Sequence, residues 1–208
     1  MLRSIKRSVN NALEEDVGPG DVTASLFNVS HAYKANVTCR EDAILCGQCW
    51  FNETFHQLDP NTEITWLVND GSQVGKGSII CSLQGTAQAI LTGERVALNF
   101  LQTLSATATY THAFVDRITG TTAQILDTRK TLPGMRYAQK YAVLCGGGMN
   151  HRMGLYDVIL IKENHIAAAG SIKKAATIAK QKFPELKLEI EIETNQQLKE
   201  AINTEADI

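Results

Sequence analysis

No stretch of this 208-residue chain approaches the roughly 18 uninterrupted apolar residues that a membrane span needs. The opening Met1-Leu-Arg-Ser-Ile-Lys-Arg leads into an amphipathic pattern and lacks the apolar core of a signal peptide. A membrane partner is therefore not expected, and the cytoplasm is the default address. Cysteine is sparse and odd in number: Cys39, Cys46, Cys49, Cys81 and Cys145. Without an export signal, that count points to reduced thiols rather than a disulfide framework. An excess of charge is also missing. Twenty Lys and Arg against 22 Asp and Glu give a net charge of -2, which argues against a nucleic-acid partner held through bulk charge. A chain that is 44% hydrophobic and 20% charged is neither disordered nor collagen-like, and it can bury a core in one or two domains.

What is present is ordered. Ile5, Val9 and Leu13 recur every four residues, which predicts an amphipathic helix that stops at Gly18-Pro19-Gly20. Short strands are expected at 32–39, 43–45, 64–68 and 79–83, with a helix near 50–58 between them. The stretch from Asn69 to Ile80 is similar to the hairpin of biotinyl and lipoyl carriers, but Lys76 sits in the wrong part of it for a carrier lysine. From Thr92 a long helical pattern through Val96, Phe100, Leu101 and Leu104 runs to about Ile118. A division into an α+β domain (1–90) and a second domain (91–208) follows. Beyond it, β-like runs at 123–126, 158–161 and 188–192 alternate with helical patterns at 135–144, 172–182 and 198–202. A spacing of one βα unit favours parallel strands in an α/β sheet or barrel. The chain finishes on Ala206-Asp-Ile, where a fourth strand is expected to start; too few strands are present to close a barrel.

Function in such folds gathers beyond the carboxyl ends of the strands. There this sequence places Asp127-Thr-Arg-Lys-Thr-Leu-Pro-Gly, Cys145-Gly-Gly-Gly-Met-Asn-His-Arg and Lys162-Glu-Asn-His. From Asp127 to His165 a nearly neutral chain concentrates Arg129, Lys130, Arg136, Lys140, Arg152 and Lys162 against three acidic residues, a pattern suited to an anionic substrate. Taken singly, Arg129-Lys130 reads as a solvated turn and the three glycines as a flexible helix exit; together with His151-Arg152 and Lys162 they read as one pocket. Glu189, Glu191 and Glu193 alternate on one strand face, and a glutamate on a parallel strand wants a cation or metal partner. Glu191, in the middle, is the candidate. Cys46-Gly-Gln-Cys49 lacks the second pair or His of a zinc site and is expected to be core cysteine. His56 and His112 fall in helical patterns, and His31 carries no readable signal.

Thr92-Gly-Glu-Arg-Val-Ala-Leu-Asn-Phe-Leu, the Asp127 segment through Met135-Arg136, Gly146-Gly-Gly-Met-Asn-His-Arg-Met-Gly-Leu-Tyr-Asp and Leu160-Ile-Lys-Glu-Asn-His together resemble the quinolinate phosphoribosyltransferase family, over nearly the whole chain from Glu15 onward. The resemblance implies an α+β N-terminal sandwich domain followed by a partial, TIM-like α/β barrel, assembled as a homodimer or higher homo-oligomer. It also implies phosphoribosyl transfer from phosphoribosyl pyrophosphate to quinolinate with decarboxylation, giving nicotinate mononucleotide, pyrophosphate and CO2, with Mg2+. Arg129, Lys130, His151, Arg152 and Lys162 match the family's substrate cations, Glu191 its strand carboxylate, and Arg95 an arginine that reaches a neighbouring subunit; Lys130 and Glu191 are the catalytic candidates. Family members continue through further βα units, so the expectation is of a truncated form, inactive by itself. Two other readings stay open: a related homologue with a different substrate, and a noncatalytic dimerising or ligand-binding remnant.

Overall fold

The computed structural model describes residues 2–26 and 32–208; His31 lies outside the described residues. The chain is mixed α/β and divides into two compact units, Met1–His151 and Arg152–Ile208.

In the first unit, helix α1 (Leu2–Val17) buries Ile5, Val9 and Leu13, the expected stripe. Each side chain withdrawn from water contributes roughly 1.5–3 kcal/mol. Strands β1 (Ala32–Thr38), β3 (Glu63–Trp66) and β5 (Ile79–Thr86) form an antiparallel sheet in the order β1-β5-β3, while β2 (Ala43–Ile44) pairs with β4 (Gln73–Val74). Helix α2 (Gln48–Leu58) and the 31-residue α3 (Ala87–Arg117) pack beside them. Thr86 opens α3 by accepting a 3.2 Å hydrogen bond from the Ala89 N–H, which satisfies one of the free donors of a helix start. Ile90 and Leu101 of α3 join Phe51, Phe55, Ile80 and Leu83 in one core; Phe100 and Leu104 join Ile5, Val9 and Trp50 in another. The expected division at residue 90 falls inside the first turns of α3. Because α3 is apolar on two sides, it serves both of these cores and extends the first unit well past that point. Helix α4 (Arg136–Cys145) completes this unit, with Ala138 and Ala142 on the α1 core.

The stretch 123–126 is not a full strand. It makes one parallel bridge, Leu126 to Met149, with a 2.8 Å hydrogen bond from the Met149 N–H to the Ile125 carbonyl.

The second unit contains β6 (Ile159–Ile161), α5 (Glu163–Ala169), α6 (Ile172–Lys182), β7 (Leu188–Ile190) and α7 (Asn195–Ile202). Strands β6 and β7 are parallel and in register from Ile159 with Leu188 to Ile161 with Ile190. Their core is Ile161, Ile172, Ala175, Ala176, Leu188 and Ile190. Ser171 and Thr194 cap α6 and α7 by accepting from the Lys174 and Gln197 N–H groups. The 206–208 segment lies alongside β7, with hydrogen bonds joining Asp207 and Ile208 to Leu188 and Ile190. Helix α5 had no expectation attached to it, being too short for helical periodicity to register. Among the described residues, no helix is long and apolar enough to cross a membrane.

Candidate functional site

The first unit carries Arg95, Arg129, Lys130 and His151. Arg95 is exposed on α3, where it lines a groove of about 1170 Å³ with Glu94, Leu98, Gln102, Tyr110 and residues of β1. Arg129 and Lys130 follow the Leu126 bridge. The Lys130 side chain is exposed, and its backbone N–H is tied to the Thr128 hydroxyl at 3.0 Å. Arg129 is half-buried, with Nε sealed from water and without a hydrogen-bond acceptor among the described residues. An unmet buried guanidinium donor is costly, so an anion supplied to Arg129 would recover that cost. Arg136 Nη2 lies 3.5 Å from the Arg129 carbonyl and Nε lies 3.4 Å from the Thr131 hydroxyl, which fastens the loop from behind.

His151 is placed by its backbone. Asp127 Oδ1 accepts from the His151 N–H at 2.9 Å and from Lys140 Nζ, and Lys140 Nζ donates on to the His151 carbonyl at 2.9 Å. The side chains of Lys140 and Asp127 are 1% and 7% exposed. With its amide correctly oriented, Asn150 donates to the second Asp127 oxygen at 2.7 Å and to the Lys140 carbonyl at 2.9 Å. Composition and spacing did not separate Asp127 or Lys140 from the other cations and acids of the segment. Their only early signal was membership of the segment that concentrates charge.

The three glycines are a packing device. A Cβ at Gly146 would lie 2.4 Å from the Ala108 carbonyl oxygen of α3, closer than any real contact, and Gly147 has φ +86°, a backbone region that residues with a Cβ rarely occupy. The loop therefore lies against α3 and is not the flexible exit that the glycines taken singly would suggest.

The second unit carries Arg152, Lys162 and Glu191. Arg152 is half-buried, with Nη1 3.4 Å from the Val158 carbonyl. Asp157 accepts from the Met153 and Gly154 N–H groups at 2.6 and 3.0 Å and folds the loop that follows Arg152. Lys162 and Glu191 stand immediately after the parallel neighbours β6 and β7. Their side chains meet at 2.6 Å while remaining 41% and 48% exposed. His165 Nδ1 accepts from the Lys162 N–H at 2.9 Å, which fixes Lys162 at the start of α5; this role was not read from the sequence. One Glu191 oxygen faces Lys162, and the other carries no hydrogen bond from the described residues. Mg2+ takes oxygen ligands and is often held by one or two carboxylates plus substrate phosphates, so Glu191 is a suitable protein donor for an ion carried mainly by substrate.

Comparison with known proteins bears directly on these segments. Residues 21–105 match the family model described as quinolinate phosphoribosyl transferase, N-terminal domain, and residues 107–208 match its C-terminal domain. The chain is 43% identical over 205 residues to a probable nicotinate-nucleotide pyrophosphorylase [carboxylating] of Bacillus subtilis, covering 98% of this chain and 71% of that protein. It is 42% identical over 194 residues to a quinolinate phosphoribosyltransferase [decarboxylating] of Nicotiana tabacum, covering 91% of this chain and 55% of the relative. The solved nicotinate-nucleotide pyrophosphorylase of Francisella tularensis superposes with a TM-score of 0.96 at 47% identity, over 100% of this chain and 74% of that one. Together, the two adjoining domain matches and these identities show that the chain belongs to the quinolinate phosphoribosyltransferase family.

Proposed function

We propose that the chain acts in phosphoribosyl transfer from phosphoribosyl pyrophosphate to quinolinate with decarboxylation, yielding nicotinate mononucleotide, pyrophosphate and CO2 in NAD biosynthesis. The observation that carries this reading is the half-exposed Lys162–Glu191 pair just past the ends of two parallel strands, within a family match that spans both domains. Quinolinate has two carboxylates and the sugar donor several phosphate charges, so binding calls for multiple cations. Arg129 and Arg152 offer planar bidentate contacts, Lys130 and Lys162 point charges, and His151 a further donor. As the pyridine nitrogen displaces pyrophosphate from the sugar, positive charge builds at the anomeric carbon. Glu191 is placed in this reading to stabilise that charge and to orient the ribose hydroxyls. Lys162 holds Glu191 until substrate arrives. Lys130 neutralises charge on the reacting groups. Alkylation leaves the ring nitrogen positive, which favours loss of the neighbouring carboxylate as CO2; the bonding pair stays on the ring carbon, which then takes a proton from water. No covalent nucleophile is needed, and catalysis is positioning plus electrostatics. Mg2+, where bound, would be met by Glu191 and would offset the charge of the departing pyrophosphate.

The same reading takes the first unit's sheets as a sandwich and β6-α5-α6-β7 as part of an incomplete α/β barrel. It takes the assembly as a cytoplasmic homodimer or higher homo-oligomer in which Arg95 serves the partner's site. The test is titration calorimetry of quinolinate against nicotinate, which has one carboxylate fewer. A charge-assisted contact of about 1.5–3 kcal/mol makes quinolinate the tighter ligand by roughly tenfold or more. Equal affinities, or uptake of neither by the folded chain, would contradict the proposal.

A further inference from the structure

The first unit contains a second cluster of reactive side chains that the phosphoribosyl chemistry does not use. Cys46 precedes α2, Asp70 sits in the turn before β4, and Cys145 ends α4. Their sulfur and carboxylate oxygen atoms all lie within 4.8 Å of one another. Cys46 is fully buried, and Cys145 and Asp70 are half-buried. Cys49, one turn along α2, is exposed.

The partners of these groups are neutral. Asp70 Oδ1 accepts from the Gly47 and Gln48 N–H groups at 3.0 and 3.3 Å, and Oδ2 accepts from the Tyr141 hydroxyl at 2.9 Å. Among the described residues no Lys, Arg or His makes an ion pair with Asp70. The start of α2 supplies only about half a positive charge, and the carbonyl end of α4 beside Cys145 is negative. The hydrogen bonds to Asp70 come from neutral donors, so the half-buried carboxylate beside two thiols keeps its negative charge without a cation to offset it.

We propose that Cys46, Asp70 and Cys145 form a site for a thiophilic divalent cation of the zinc class, with a fourth position filled by Cys49 or water. Zinc bonds of about 2.3 Å to sulfur and about 2.0–2.2 Å to oxygen place tetrahedral donors roughly 3.5–4 Å apart, inside the 4.8 Å within which these three atoms already lie. Two sulfurs and one carboxylate suit zinc and are too soft a set for Mg2+. On binding, both thiols release their protons to solvent, and the metal–sulfur bonds form without any change in oxidation state. The site is built on rigid parts. The Ser105 hydroxyl donates to the Cys46 carbonyl at 3.1 Å and accepts from its N–H at 2.9 Å, the Trp50 and Tyr141 rings pack at 5.7 Å, and Gly146 pins the chain that follows Cys145 against α3. Occupancy would tie the start of α2 to the end of α4. It would stiffen the glycine loop that leads to His151.

The experiment is titration of the reduced 208-residue chain with Co2+, followed in the near-ultraviolet, and with Zn2+ in competition with a chromophoric chelator. One equivalent should bind, with a sulfur-to-cobalt charge-transfer band, and Zn2+ should raise the melting temperature. Cys145→Ser, at a half-buried helix end, should abolish the band and the thermal shift. Cys46→Ala should do the same, and Tyr141→Phe, which releases Asp70, should weaken binding roughly tenfold. Cys39→Ser and Cys81→Ser should leave the signal intact. A folded chain without a charge-transfer band, a band that survives Cys145→Ser, or recovery of Cys46 and Cys145 as a disulfide under these reducing conditions would overturn the proposal.

Discussion

Two lysine–carboxylate pairs, Lys140–Asp127 in the first unit and Lys162–Glu191 in the second, stand close to the family motifs in opposite surroundings. Lys140–Asp127 in the first unit is sealed, with side chains 1% and 7% exposed, and its spare hydrogen-bonding capacity is spent on the backbone of His151 and the side-chain amide of Asn150. Lys162–Glu191 in the second is 41% and 48% exposed, with one glutamate oxygen open. Burial makes the first pair a fastener whose loss leaves an unmet charge in low dielectric. Exposure makes the second inexpensive to separate and therefore available to a ligand. The same chemical pair is structure in one place and a candidate for chemistry in the other.

The largest expected effect comes from breaking the buried pair. Lys140→Met leaves Asp127 without its cation and should cost about 3–5 kcal/mol in urea unfolding; a loss below 1 kcal/mol would erase the contrast between the pairs. Gly146→Ala should come next, at about 1–3 kcal/mol, because its Cβ would strike the Ala108 carbonyl. A fully tolerated Gly146→Ala would return the loop to its reading as a mobile exit. Glu191→Gln and Lys162→Met should change stability by less than about 1 kcal/mol while weakening capture of phosphoribosyl pyrophosphate, read by calorimetry on the same samples. A stability loss as large as that of Lys140→Met would show the exposed pair to be structural.

The smallest effect is one of pH. The Leu188 N–H and the Lys180 ammonium, at 2.8 and 2.9 Å, hold the Asp207 carboxyl below the usual carboxylate range. A lowered folded-state pKa means that this contribution is complete above the ordinary carboxylate value and is lost as pH falls through the lowered one. Asp207→Asn should therefore reduce the melting temperature at neutral pH and flatten its fall in acid. An acid limb identical in both proteins would remove Asp207 from the account.

Much of this was legible in the sequence where a single periodicity governs the outcome. Ile5, Val9 and Leu13 announced α1, and the long apolar pattern from Val96 announced α3, although not its start at Ala87 or its service to two cores. The residues 123–126 read as a strand because a short, largely apolar run cannot report whether a neighbour is available; among the described residues only Leu126 forms a bridge. Arg129, Lys130, Arg152 and Lys162 stood out because several charges in one short stretch are unusual. Asp127, Lys140 and His165 did not, since each acts on backbone groups brought near by folding. The Cys46–Cys145 encounter was equally hidden, as ninety-nine positions of sequence separate two thiols that meet across α2 and α4.

The central proposal is that the ligand is an anionic pyridine, and Arg152 is the residue on which it is most directly tested. Quinolinate should bind the 208-residue chain saturably by titration calorimetry, and Arg152→Ala, with an unchanged circular dichroism spectrum, should bind it at least about tenfold more weakly. Undiminished binding by the variant, or none by the folded parent, would contradict the account.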